Sequence, residues 1–350
     1  MYLNVLFFVV LSGLSAYSQA AVESLTVQHG ERLLILAPHP DDETLSAAAL
    51  AHRVLEQGGE VRSVVVTAGD AYVEAIQNDL RKKHLNQIDF LRYGKERLEE
   101  SRHAANLLGK GLIKLDLLGF SDGSIYPMLI SHWNSSNPDK SEFTRFSRIP
   151  YIEAEDRGHA QDGEFLRYKL VKIMKKMKPT LIVFPDVMEN DSDHSGLGMF
   201  ALLAISDWVQ QTQQSPVVMP RLLAYLIHWS ESYPSGSNSK IPLDLSDQPL
   251  FLPDELLSRH HVQTCFNLNV LEKNLKRVTL EEYQSQQRAM GDFLMAFVRS
   301  NECFTLLNEK DTQNIENIVK HWQQTKKKFD ANPISRKNIL KNGSSLKNYD

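Results

Sequence analysis

Residues 33–45 read LLILAPHPDDETL. The apolar run Leu33 to Ala37 breaks at Pro38-His39-Pro40 and is followed at once by Asp41, Asp42 and Glu43. A turn leading into a helix accounts for these residues, since Pro and Asp are ordinary at both places. Half of a metal site accounts for them as well. His39 and Asp42 are three apart on a loop running into a helix, so both can face one point, while Asp41 between them points to one side.

The surrounding chain supplies the context. Leu33 to Ala37 reads as a short buried strand. Thr44 to Gln57 reads as a helix, with Leu45, Ala48, Ala49, His52 and Leu55 at helical spacing and Gly58-Gly59 as its stop. Val61–Thr67, Ile113–Leu118, the LIVFPD run from Leu181 and Leu222–His228 read as further strands. Lys95–Leu108, Phe165–Lys178, Leu197–Val209 and Val278–Val298 read as helices. Segments 131–162 and 233–262 are polar, carry Pro and Ser, and read as loops. Strands alternating with helices predict an α/β fold: a Rossmann-like, doubly wound, mostly parallel sheet with helices on both faces.

In such sheets ligands gather beyond the carboxyl ends of the strands. His39 ends the first predicted strand; Asp70, Asp122 and Asp186 to His194 follow the next three, and His228 ends the fifth. A catalytic zinc takes about three protein ligands and leaves a position for water, whose proton a neighbouring carboxylate can accept. His39, Asp42 and His194 are suitable ligands, and Asp41 is placed as the base. Each also has a plainer reading: a helix cap for Asp41 or Asp42, a helix-start histidine for His194. Their common location at strand ends favours the site.

APHPDDETL with DSDH downstream resembles the PIG-L/LmbE-like family of zinc-dependent N-deacetylases, which act on N-acetylglucosaminyl groups and related amides. The resemblance implies His39, Asp42 and His194 as metal ligands and Asp41 as general base. It continues through ERLEESRHAANLLG at Arg97 and Glu100, LLGFSDG at Asp122-Gly123, YLIHWSESYPSG at His228 and a closing helix EEYQSQQRAMGDFLMAFVRSNECF. In all it spans about residues 31–305. It implies sugar-binding roles for Arg97 and Asp122. Two departures stand out. Ser46-Ala47-Ala48-Ala49 replaces a common Gly-Gly, and Asp191 stands where the family carries a histidine implicated in oxyanion stabilisation. An anionic carboxylate cannot do that work. His228, at the end of a neighbouring strand, is the replacement we expect, with Asp191 or Asp193 orienting a histidine.

The bulk numbers agree with a globular enzyme. The 350 residues are 42% hydrophobic and 23% charged, with a formal net charge of -4, which argues against general nucleic-acid binding. No phosphate-cradling GxxxxGK[ST] and no GxGxxG occurs. Residues 1–20 read as an export signal with an apolar stretch from Val5 to Leu14 and small residues at Ser18 and Ala20, although no Lys or Arg precedes it. Residues 25–325 form the expected deacetylase domain, and 326–350 a polar tail. Cys265 and Cys303 fit either one disulfide or two free thiols. The expectation is thus an exported, periplasmic or extracellular enzyme that uses Zn2+, or another divalent transition metal, to remove an acetyl group from an N-acetylated sugar. Stable membrane insertion after signal cleavage is not expected, and the oligomeric state is left open. The rivals are the same chemistry on a non-sugar amide, and a carbohydrate-binding protein that kept the fold and lost the chemistry.

Overall fold

The stretch that decides the fold opens a strand–helix–strand unit: β2 (Arg32–Ala37), α1 (Asp42–Glu56) and β3 (Glu60–Thr67), preceded by the short β1 (Glu23–Ser24). The chain continues through α2 (Val73–Leu80), α3 (Gln87–Gly109), β4 (Lys114–Phe120), α4 (Ile125–Ile130), α5 (Gly163–Met177), β5 (Leu181–Pro185), α6 (Ser192–Gln211) and β6 (Arg221–Tyr225). It closes with α7 (Asp254–Leu257), β7 (Val262–Asn267), α8 (Val270–Leu280), α9 (Gln284–Met295) and β8 (Asn301–Leu307). The computed structural model describes residues 23–211, 219–230, 232–237, 244–257 and 262–307. The predicted export signal and polar tail lie outside these residues. No helix among the described residues is long and apolar enough to cross a membrane.

Among the described residues the strands form one sheet in the order β1-β7-β8-β6-β5-β2-β3-β4, in which only β8 runs against its neighbours. The fold is therefore the mostly parallel, doubly wound sheet expected from the alternating pattern. Alternate strand residues feed two cores. Leu34, Leu36, Ile182 and Phe184 pack with α4, α5 and α6; Leu33, Ile35, Leu181 and Val183 pack with α1, α8 and α9. Burial on both faces is why these strands read as unbroken apolar runs. The chain runs outward from β2 through β3 to β4, then returns to β5 on the other side of β2. The crevice beyond the ends of β2 and β5 is thus the topological switch point, where such folds bind ligands.

Several boundaries differ from expectation, each for a packing reason. The helix expected from Lys95 begins at Gln87, where the Asn86 side chain and Asp89 make a reciprocal cap. Gly94 does not stop it; a side chain there would meet the Tyr151 hydroxyl at 2.3 Å, so glycine admits a close neighbour. The fifth strand ends at Tyr225 instead of His228, because the amides of Ile227 and His228 turn to the Glu189 carboxylate. The expected closing helix is two helices followed by a strand, Asn301–Leu307, inserted antiparallel between β6 and β7. Cys265 and Cys303 lie opposite each other in that pairing and form a disulfide.

Candidate metal centre

Asp41 occupies the position before the first turn of α1, yet its side chain makes no capping hydrogen bond. Its backbone φ of 118° is one that residues with a Cβ rarely adopt. Surrounding contacts hold it there. The Asp41 amide donates to Glu43 at 3.1 Å, and Glu43 is itself fixed by the Ser101 and Tyr283 hydroxyls, each at 2.8 Å. Arg97 donates to the Pro40 carbonyl at 2.8 Å and lies 3.2 Å from the Asp41 carboxylate. The strained backbone thus sends Asp41 sideways while its neighbour Asp42 turns inward.

Asp42 Oδ2 is the meeting point. It accepts the His39 amide at 2.9 Å, lies 3.4 Å from His39 Nδ1 and lies 3.2 Å from His194 Nε2. His39, Asp42 and His194 form a cluster able to hold a metal ion. His194 is fully buried, and among the described residues neither of its ring nitrogens meets a partner in hydrogen-bond geometry. A buried imidazole left in that state is costly unless it binds something. Two nitrogens and a carboxylate oxygen are a donor set that suits zinc. The other ring nitrogens face carboxylates: His194 Nδ1 is 3.5 Å from Glu189, and His39 Nε2 is 3.1 Å from Asp122 and 3.6 Å from Asp193. A carboxylate behind each imidazole fixes its tautomer and raises its basicity.

These supports are themselves anchored. Glu189 takes the Ile227 and His228 amides at 2.5 and 2.6 Å. Asp193 takes those of Gly123 and Ile125 at 2.8 and 3.0 Å. Asp122 accepts from the Ala71 amide at 3.2 Å and donates its own amide to Asp70 at 2.9 Å. Asp191 caps α6 through the amides of Asp193 and His194. His228 sits with its ring centroid 4.8 Å from that of His194 and stacks on Phe293.

Burial would lower His39, but the Asp122, Asp193 and Asp42 carboxylates hold its pKa well above the ordinary value. Burial raises Asp41 strongly, with Arg97 opposing. Burial opposes ionisation of Asp122, yet His39 brings it down to about 2. His228 is pushed down to about 4 by burial and by His194, so it is a neutral imidazole at neutral pH.

With this geometry in view, comparison with known proteins is informative. Residues 34–205 match the family model PIG-L, described as GlcNAc-PI de-N-acetylase. The chain carries a PIG-L family domain. No curated protein matches it. Solved structures with a similar fold include the A40926 pseudoaglycone deacetylase Dbv21, 16% identical, over 79% of this chain and 96% of that one, with a TM-score of 0.49. The N,N'-diacetylchitobiose deacetylase of Pyrococcus horikoshii is 17% identical over 79% and 83%, with a TM-score of 0.46. The 4-carboxy-2-hydroxymuconate hydratase GalB of Pseudomonas putida is 13% identical over 77% and 82%, with a TM-score of 0.44.

The His39–Asp42–His194 cluster opens on a cleft of about 530 Å³, lined by residues of the PIG-L match and, beyond it, by His228, Gln286, Met290 and Phe293. Its lining includes Asp41, Asp122, Asp191 and His228 together with Tyr72, Met290 and Phe293. The resemblance implies a sugar-binding role for Arg97; the side chain borders the cleft, but the guanidinium is buried and donates to Gly69, Pro40 and Asp41. Its geometry gives it the placing of Asp41 instead. Gly69 makes this possible: at φ 63°, a side chain there would lie 2.2 Å from the Arg97 guanidinium. Glu189 and Glu43 were missed by sequence reasoning. Glu189 lies inside the acidic run before His194, but nothing local separates it from its neighbours.

Proposed function

We propose that this chain is a zinc-dependent hydrolase that removes an N-acetyl group from an amino sugar or glycan. The observation that carries the reading is the convergence of His39 Nδ1 and His194 Nε2 on Asp42 Oδ2, at 3.4 and 3.2 Å, with Asp41 beside them on the cleft. The PIG-L domain supports it.

A zinc ion held by His39, Asp42 and His194 would polarise the acetyl carbonyl and acidify a water beside it. Asp41 takes the proton from that water and returns it to the departing amine. Arg97 keeps the Asp41 carboxylate in place for both transfers. His228, neutral and able to donate from its ring, steadies the oxygen that gains charge as the carbonyl carbon becomes tetrahedral. Asp122 and Glu189 hold the two ligand histidines in the tautomers the site needs. Tyr72, Met290 and Phe293 give the sugar an apolar wall to lie against.

The N-terminal leader read from the sequence and the Cys265–Cys303 disulfide both support export to an oxidising compartment. The substrate is then a cell-envelope or extracellular glycan. The test is an amine-release screen of the zinc-loaded protein over N-acetylated mono- and oligosaccharides. Release of free amine with zinc and none after chelation is the expected result. A protein that binds no zinc and releases no amine from any of them is instead a carbohydrate-binding relative.

A further inference from the structure

Asp191 divides its carboxylate between two directions. Oδ1 accepts the Asp193 and His194 amides at 2.8 and 3.2 Å and caps α6. Oδ2 takes no hydrogen bond from the described residues, and the side chain lines the cleft. The other charges at the cleft are committed. Asp42 belongs to the metal cluster, Asp122 is held by His39 and the Ala71 amide, and Asp41 is held by Arg97. Arg97 is the one guanidinium or ammonium group lining the cleft among the described residues, and it donates to Gly69, Pro40 and Asp41.

We infer that Asp191 determines specificity, its free oxygen receiving an ammonium group of the sugar so that the cleft selects glycans carrying a free amine beside the N-acetyl unit. A carboxylate with one oxygen anchored and one open is preorganised for a charge-assisted hydrogen bond. A phosphate group in the same place meets a like charge in a half-buried setting, and among the described residues lining the cleft it finds no Lys and only Arg97, whose Nε is buried and whose terminal nitrogens are engaged by Gly69, Pro40 and Asp41. The order of preference is therefore cationic, then neutral, then anionic sugars. The natural substrate class is a partly de-N-acetylated hexosamine oligomer, not a phosphate-linked amino sugar. The inference rests on the reading of the cleft as an amino-sugar site.

Binding to the zinc-loaded full chain tests it, with probes that contain no amide and so cannot turn over. These are the β-1,4-linked glucosamine disaccharide, cellobiose as its uncharged counterpart, and glucose 6-phosphate, each titrated calorimetrically against the wild type and Asp191→Asn. Asparagine keeps the helix cap, so zinc content and thermal midpoint provide the check on folding. The expected result is that wild type prefers the diamine, and that D191N weakens the diamine about tenfold while moving cellobiose less than about twofold. Glucose 6-phosphate gains affinity in the variant. Equal changes for all three probes, or no wild-type preference, overturn the inference and leave Asp191 a helix cap. If none of the three binds, the amino-sugar reading itself fails and takes the inference with it.

Discussion

Lys276 and Glu302 form a buried ion pair, 2.8 Å apart, inserted into a break in the helix that carries Asp42. The break is at Ala47, where φ is -144°. Glu302 accepts the amides of Ala49 and Leu50, each at 3.0 Å, and Lys276 donates to the Leu45 carbonyl at 2.8 Å. The pair thus supplies the partners that a continuous helix would have supplied to itself. The small residues Ser46 to Ala49 allow this approach, and β8 and α8 thereby fix the turn bearing Asp42.

Removing one member leaves a buried charge without its partner. Glu302→Ala is expected to destabilise the protein by about 3–5 kcal/mol, and the double replacement of Glu302 and Lys276 by apolar residues by less than the sum of the two single changes, with the Ala49 and Leu50 amides and the Leu45 carbonyl left unpaired. Chemical denaturation of the three proteins measures it. An additive double variant would show that the pair is not coupled.

Asp41→Asn keeps the metal ligands and removes the proton acceptor. Zinc stoichiometry is expected to stay at the wild-type value while amine release falls by about 10²–10⁴-fold. Metal analysis alongside a rate assay separates the two effects, and wild-type turnover in this variant would reassign the base.

Glu189→Gln weakens the carboxylate behind His194 while leaving an amide oxygen for the Ile227 or His228 amide. Zinc affinity, measured by chelator competition, is expected to drop about 10–100-fold. Unchanged affinity would confine Glu189 to holding the loop after β6.

Gly69→Ala puts a methyl group against the Arg97 guanidinium at a backbone angle that alanine tolerates poorly. It is expected to cost about 1–3 kcal/mol of stability. It is also expected to lower kcat, since Arg97 places Asp41. Arg97→Lys should lower kcat in the same way, because one ammonium cannot reach the Pro40 and Gly69 carbonyls and the Asp41 carboxylate in the same geometry. Wild-type kcat in both would remove Arg97 from the positioning of Asp41.

The disulfide closes a loop between residues 38 apart in sequence. Cys265→Ser together with Cys303→Ser is expected to cost about 3–4 kcal/mol. The loss should appear in denaturation under oxidising conditions and vanish when the wild type is reduced.

The opening question about His39-Pro40-Asp41-Asp42 had two answers, and the structure separates them residue by residue. Asp41 holds the cap position without capping, whereas Asp191, expected near a histidine, is the true helix cap of α6. Arg97 looked free in sequence because its partners lie 28, 56 and 57 residues away. The first residues of β8 fall in the closing helix that the family resemblance implied, and their antiparallel pairing with both β6 and β7 makes them a strand instead.

By itself the sequence determined the alternation of strands and helices, and with it the parallel sheet and the edge at which polar residues collect. It also narrowed the candidate ligand types, since only two residues separate His39 from Asp42 at a strand end, leaving few directions for either side chain. These are local properties, set by backbone preferences and side-chain period over a few residues. The tertiary structure alone decided which carboxylate does what. Glu189 behind His194, Arg97 on Asp41 and Glu302 on the amides of Ala49 and Leu50 depend on segments up to 253 residues apart meeting around one core. A carboxylate carries the same charge wherever it stands; packing decides whether it caps a helix, orients an imidazole or faces a substrate.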